Sequence, residues 1–186
     1  VSRGIAYLHS QQPPVIHGDL HPGNVLIDRS GVPLLCDFGL NRLRHNITRI
    51  HGIPEGESIL FLAPELSTSP DERVQPTLAS DIFSLSMTFF STWTREKPFS
   101  GVRNKWEIAS WIGQGRRPER MDPAISLLLE VESALWQLIE TMWAQEPASR
   151  PSSGDVVQRL EQIFLLGKVS ESYFLRSPPL LSILRY

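Results

Sequence analysis

Cysteine is almost absent: Cys36 is the only one in 186 residues. That excludes an intramolecular disulfide and any cysteine-cluster metal site, and it points to a reducing compartment such as the cytoplasm. Charge of one sign is not in excess. With 18 Lys+Arg against 20 Asp+Glu the formal net charge is −2, without the basic surplus that a nucleic-acid or anionic-membrane binder needs. No apolar run approaches the ~20 residues of a membrane span. No basic segment followed by an apolar stretch marks a secretory signal at the N-terminus. Neither nucleic acid nor a membrane is therefore expected as a partner. What is present is ordinary for a globular protein: 41 % apolar and 20 % charged residues, over a length sufficient for one domain with a sizeable core. The chain opens without Met and as if in mid-helix, so it is expected to start inside a larger domain.

Hydrophobic spacing gives a coarse map. Ile5 and Leu8 in residues 1–12 read as the end of an amphipathic helix stopped by Pro13 and Pro14. Val25-Leu26-Ile27 and Val32–Cys36 read as two short strands around a Ser30-Gly31 turn, hence a β-hairpin, with His17–Asn24 at one end and Asp37-Phe38-Gly39 at the other. Residues 40–62 carry no periodicity, and long loops in compact domains are commonly functional or disordered. Pro64 and Pro70 bracket a short element. Leu78–Trp93 is apolar on all sides and predicts a buried helix. Further helices are expected over Arg103–Ile112, Ser126–Trp143 and Ser152–Leu166, the last opened by Ser152 and Asp155 as a capping box. The tail from Gly167, with Pro178-Pro179 and scattered Leu, is expected to be poorly ordered.

The strongest chemical signal is His17-Gly18-Asp19-Leu20-His21-Pro22-Gly23-Asn24, followed 13 residues after Asn24 by Asp37-Phe38-Gly39. Asp19, Asn24 and Asp37 could converge at the ends of one hairpin. Asp and Asn oxygens suit a hard cation such as Mg²⁺, and a carboxylate free of metal can orient and deprotonate an attacking hydroxyl. Together they describe a phosphoryl-transfer site, where positioning and charge neutralisation supply most of the catalysis. The plain alternative is that all three are turn residues, a role that Asp and Asn favour in any protein.

These motifs resemble the protein-kinase family. Its H-R-D-L-x-x-x-N pattern is met by His17, Asp19, Leu20 and Asn24, its D-F-G by Asp37–Gly39, and its A-P-E by Ala63-Pro64-Glu65. Asp81-Ile82-Phe83-Ser84 looks like the start of the family's central helix. Arg150-Pro151-Ser152 looks like its late R-P-S, whose Arg pairs with the Glu of A-P-E, and Tyr7-Leu8-His9 matches the helix before the catalytic loop. One tripeptide alone is weak, whereas five motifs in register over residues 1–166 are specific. The resemblance implies an α+β, predominantly helical C-terminal lobe with a short β-hairpin, closest to tyrosine-kinase-like serine/threonine members, and leaves 167–186 as a tail. It implies ATP and Mg²⁺ as cofactors, a protein Ser or Thr as phosphate acceptor, and a signalling role. Asp19 would be the base, and Asn24 and Asp37 would hold the metal. Ser58 would stand where a Thr supports the catalytic Asp, and Phe61 where a Tyr precedes A-P-E, within an activation segment over Leu40–Leu62. His17, Glu65, Asp81 and Arg150 would be structural supports.

The departures are specific. Gly18 replaces the Arg that pairs with a phosphorylated activation segment, which argues against that mode of control. His21 replaces the Lys two residues after the catalytic Asp, at the place where that Lys touches the transferred phosphate. Ser86 replaces a Gly. No G-x-G-x-x-G occurs, and the three lysines, Lys97, Lys105 and Lys168, all follow D-F-G. The nucleotide-clamping lobe is thus missing, and the chain as given is expected to have little activity alone. Two alternatives follow: a catalytically silent pseudokinase or scaffold, and a small-molecule kinase related to aminoglycoside and choline phosphotransferases, which share H-G-D-L-H-P-G-N but lack A-P-E and the late Arg.

Overall fold

The computed structural model describes residues 1–38, 58–67, 74–102, 104–120 and 129–168. Gly39, most of the expected activation segment and the tail from residue 169 lie outside them. Among the described residues there are six α-helices and one two-stranded sheet: α1 Ser2–His9, β1 Val25–Ile27, β2 Pro33–Leu35, α2 Pro64–Ser67, α3 Leu78–Thr94, α4 Lys105–Gly113, α5 Leu129–Met142 and α6 Ser153–Lys168. Short 3₁₀ turns cover Pro22–Asn24, Ser58–Phe61 and Pro147–Ser149. The architecture is α+β and predominantly helical.

Helix α3 is the axis of the fold. Every residue from Ser80 to Phe90 is buried, so the helix cannot leave a polar atom unsatisfied. Its buried hydroxyls all find backbone carbonyls. Ser84 Oγ donates to the carbonyls of Phe61 (2.8 Å) and Ser80 (3.1 Å), Ser86 Oγ to Phe83 (2.6 Å), and Thr88 Oγ1 to Ser84 (2.8 Å). Its N-terminus is closed by a capping box. Thr77 Oγ1 accepts from Ser80 N–H (3.1 Å), while Ser80 Oγ accepts from Thr77 N–H (2.9 Å). Helix α5 packs on α3, α6 packs on α5 and α1, and α1 closes back onto α3. Leu135, Leu138, Ile139 and Met142 of α5 and Val156, Leu160 and Ile163 of α6 complete the core. The Ser152–Asp155 box opens α6: Ser152 Oγ donates to Asp155 Oδ2 (2.6 Å) and accepts from Asp155 N–H (3.2 Å). The boundary expected at residue 166 falls inside α6, which runs to Lys168.

The ribbon differs from the expected arrangement in one respect. β1 and β2 are antiparallel with Val25 opposite Leu35 and Ile27 opposite Pro33. The Asp28–Val32 turn caps one end, so His17–Asn24 and Asp37-Phe38 both sit at the other, open end. The turn is held by Asp28 Oδ1, which accepts from Ser30 N–H, Ser30 Oγ and Val32 N–H at 2.7–2.8 Å. These bonds hold the Asp28 carboxyl below its usual range, with the Ser30 hydroxyl first among the causes.

Candidate active site

The loop between α1 and β1 is bolted to the axis helix. Asp81, in the first turn of α3 and 1 % exposed, accepts from His17 N–H at Oδ2 and from Gly18 N–H at Oδ1, both at 2.7 Å. A helix N-terminus favours a negative charge there. His9, the last residue of α1, places Nε2 3.0 Å from Asp81 Oδ2. Gly18 turns the chain at φ +75°, a conformation that a side chain disfavours, so the Gly found where the family carries Arg suits this backbone. His17 is fully buried. Burial lowers its imidazole pKa, with the negative charge of Asp81 opposing the shift.

Beyond Gly18 the loop presents its polar groups. The Asp19 carboxylate is 14 % exposed. Asn24 is buried, and its Nδ2 donates to the Asp19 carbonyl (2.8 Å) and lies 3.5 Å from Asp19 Oδ2. That use of the amide nitrogen leaves the Asn24 amide oxygen as the atom able to face a cation. His21 caps the Pro22–Asn24 turn by accepting from Gly23 N–H at Nδ1 (3.1 Å), and its Nε2 stands 3.9 Å from Asp19 Oδ2. Gly23 lets the His21 ring close over the turn: a Cβ there would lie 2.8 Å from His21 Cε1, so the ring would have to shift.

Asp37 arrives from the other strand. Cys36 N–H donates to the Asn24 carbonyl (3.1 Å), which sets Asp37 next to the end of that turn. Asp37 is exposed and lies in the left-handed region at φ +59°, which Asp tolerates better than most residues. Among the described residues no three His, Cys, Asp or Glu side chains converge as a metal site. Asn24 offers an amide oxygen and Asp37 a carboxylate, hard-oxygen donors of the kind that Mg²⁺ prefers.

Ser58 and Phe61 lie at the two ends of one short turn. Ser58 opens a 3₁₀ turn packed on α3 and α4, and Phe61 is buried with its ring 6.0 Å from that of His21. Behind it, Arg150 forms a bidentate pair with Glu65 (2.7 and 2.8 Å) and donates to the carbonyls of Ala144, Ala79 and Gln145. Arg117 was not singled out by any pattern. It donates to the carbonyls of Trp143, Ile112 and Arg116 and to Gln145 Oε1. The Arg117 and Arg150 guanidinium groups lie 5.0 and 5.1 Å from the centre of the Phe83 ring. Burial, and then the neighbouring charge of Arg150, pull the Arg117 pKa down to about 10.

The protein kinase domain model matches residues 1–161. The chain belongs to the protein kinase family. It is 29 % identical over 167 residues to receptor-interacting serine/threonine-protein kinase 2 of Bos taurus, covering 88 % of this chain and 31 % of that protein. It is 30 % identical over 168 residues to a probable serine/threonine-protein kinase, SIS8, of Arabidopsis thaliana (87 % and 15 %). With the dual specificity protein kinase shkC of Dictyostelium discoideum it shares 29 % over 172 residues (90 % and 31 %). This kinase chain thus spans about a third or less of these relatives. No described helix is long and apolar enough to cross a membrane.

Proposed function

We propose that this kinase chain carries the catalytic loop and metal-binding residues for transfer of the ATP γ-phosphate to a Ser or Thr hydroxyl of a protein, in a signalling role. The observation that carries the reading is the joint placement of Asp19, Asn24 and Asp37 at the open end of the ribbon, with the Asn24 amide nitrogen engaged by the Asp19 carbonyl. Asp19 is the group that accepts the proton of the incoming hydroxyl. Its half-buried carboxylate is aimed by a loop whose backbone is fixed by Asp81. Asn24 and Asp37 would hold Mg²⁺, which when bound neutralises charge on the transferred phosphate. His21 lies beside the same carboxylate, with Nδ1 accepting from Gly23 N–H and Nε2 3.9 Å from Asp19 Oδ2, where the family carries a Lys. Glu65 and Arg150 fix the end of the activation segment against α3.

The Gly-rich segment and the clamping Lys of the family do not occur in this chain, so transfer by the 186-residue chain alone is slow. The test is transfer of labelled phosphate from ATP to a Ser/Thr protein by the natural product containing this sequence. Asp19→Asn lowers transfer by a factor on the order of 10² or more. Undiminished transfer in that variant would remove Asp19 from the base role. Transfer to an amino alcohol or aminoglycoside, with none to protein, would establish the small-molecule reading instead. The scaffold reading draws on Gly18 and His21, which stand where the family carries Arg and Lys; it predicts that Asp19→Asn leaves the biological role intact.

A further inference from the structure

We propose that the loop between α3 and α4, together with the C-terminal end of α4, is a docking surface for an acidic peptide segment carried by the phosphate-acceptor protein. Charge in this chain is divided. Residues 95–120 hold seven Lys+Arg against three Glu, a net +4, which leaves −6 on the remainder of a chain whose total is −2. The fold gathers part of that surplus on one surface. Arg95, Lys97 and Arg116 are exposed. Arg95 and Lys97 lie within four residues of Phe99. The Phe99 ring meets the Trp111 ring edge-on at 5.9 Å, which joins loop to helix, and the Arg116 guanidinium lies 4.2 Å over the Trp111 ring. A guanidinium seated on an aromatic face has given up rotamer freedom before any ligand arrives, and it still offers its N–H fork to a carboxylate. Among the described residues, no carboxylate stands within ion-pair distance of Arg116. Backbone strain marks the same loop. Three non-glycine residues among those described have positive φ: Asp37 in the candidate site, and Arg95 (+60°) and Phe99 (+58°) here. Such strain collects where a chain binds or reacts. The location suits an acceptor. α4 packs on the Ser58–Phe61 turn and on α2, with Ile108, Ala109 and Ile112 buried. Its flank is therefore roughly 10 Å, one helix diameter, from a turn whose Phe61 ring is 6.0 Å from that of His21. Glu96, which accepts from Ser100 Oγ at 2.6 Å, and the exposed Glu107 bound the surface. That suits a short segment rather than a phosphate polymer, whose affinity grows with every phosphate neutralised along a basic track. Assigning the docked segment to the acceptor rests on the phosphotransfer reading; the docking itself does not.

Fluorescence anisotropy of the 186-residue chain with two labelled peptides reads the docking. One peptide is Glu-rich, and the other has every Glu changed to Gln. The Glu peptide binds on the order of 10-fold more tightly, and Arg116→Glu removes that preference. Arg29→Glu, at the exposed Asp28–Val32 turn, leaves it within about twofold. Equal binding of the two peptides, or a preference retained in Arg116→Glu, overturns the proposal. So does an RNA oligonucleotide or an anionic vesicle that binds while the Glu peptide does not. Should Arg116→Glu fail to fold, the unsubstituted ¹⁵N-labelled chain decides. The Glu peptide is to shift the amides of Phe99, Gly101 and Arg116 and the Trp111 indole N–H, with Leu135 and Ile139 still; shifts centred elsewhere overturn the surface. In the natural product containing this sequence, Arg116→Glu raises KM for a Ser peptide flanked by Glu and leaves kcat unchanged. An unchanged KM in a protein that does transfer phosphate overturns the acceptor assignment. Docking in a protein that transfers none supports the surface and counts against the phosphotransfer reading alone.

Discussion

Glu65→Ala removes one half of a buried ion pair and is expected to cost about 3 kcal/mol of folding stability. The Arg150 side chain is 0 % exposed and that of Glu65 22 %. The two bonds between them, 2.7 and 2.8 Å, are charge-assisted and bidentate. Breaking a buried pair by removing one partner costs about 3–5 kcal/mol, because the remaining charge stays desolvated. Two features set the lower end of that range here. Three backbone carbonyls still receive the guanidinium, at 2.9, 3.0 and 3.2 Å, and the Glu65 side reaches solvent. A domain of this size has roughly 5–15 kcal/mol in total, so the variant loses a large share. Urea unfolding of the 186-residue chain, followed by circular dichroism, measures it, with the slope unchanged. Glu65→Ala/Arg150→Met is expected to lose less than the sum of the single changes, since an apolar side chain replaces the stranded charge. The exposed Arg3–Glu161 pair, with side chains 64 % and 55 % accessible, is the control: Arg3→Ala costs about 0–1 kcal/mol. A loss below about 1 kcal/mol for Glu65→Ala would refute the reasoning that burial, rather than pairing as such, sets the magnitude.

Other consequences are as direct. His17 is held neutral with a lowered pKa, so the unfolded chain binds its proton first as pH falls. Stability from this residue is complete above pH ~6.5 and declines below it by up to ~1.4 kcal/mol per pH unit; urea midpoints at pH 7.5 and 5.5 check this, with His17→Gln flattening the dependence. Thr77→Ala removes the α3 cap and is expected to cost about 1 kcal/mol in the same assay. Arg95 ends α3 at φ +60°, so Arg95→Gly relieves a left-handed side chain and is expected to change stability favourably by up to about 1 kcal/mol. Gly18→Ala places a Cβ at φ +75° and is expected to lose about 1 kcal/mol.

The helices were legible because their cause is local. The apolar run of α3 and the spaced Leu, Val and Ile of α5 and α6 require burial, and the Ser152–Asp155 box announces its helix within four residues. The Glu65–Arg150 partnership was reached through a resemblance, since the residues lie 85 apart in sequence and no periodicity links them. Arg117 and the His9–Asp81 contact escaped for a related reason. Arg117 bonds chiefly to backbone carbonyls, which every residue offers, so no side-chain pattern marks it. His9 meets Asp81 only after α1 has closed onto α3. The two strands of the ribbon are legible in sequence, whereas the end at which their flanking segments meet is not. Strand pairing, not strand content, decides that they share one end, and the antiparallel register of Val25 with Leu35 brings Asn24 and Asp37 together.

The central claim is that Asn24 and Asp37 grip a divalent cation beside Asp19. Paramagnetic relaxation by Mn²⁺, added with ATP to the ¹⁵N-labelled chain, tests it most directly. The account predicts selective broadening of the Asn24 side-chain amide and the Asp37 backbone amide, lost in Asp37→Ala while the Leu135 and Ile139 signals stay sharp. Broadening centred elsewhere, or unchanged by Asp37→Ala, would contradict it.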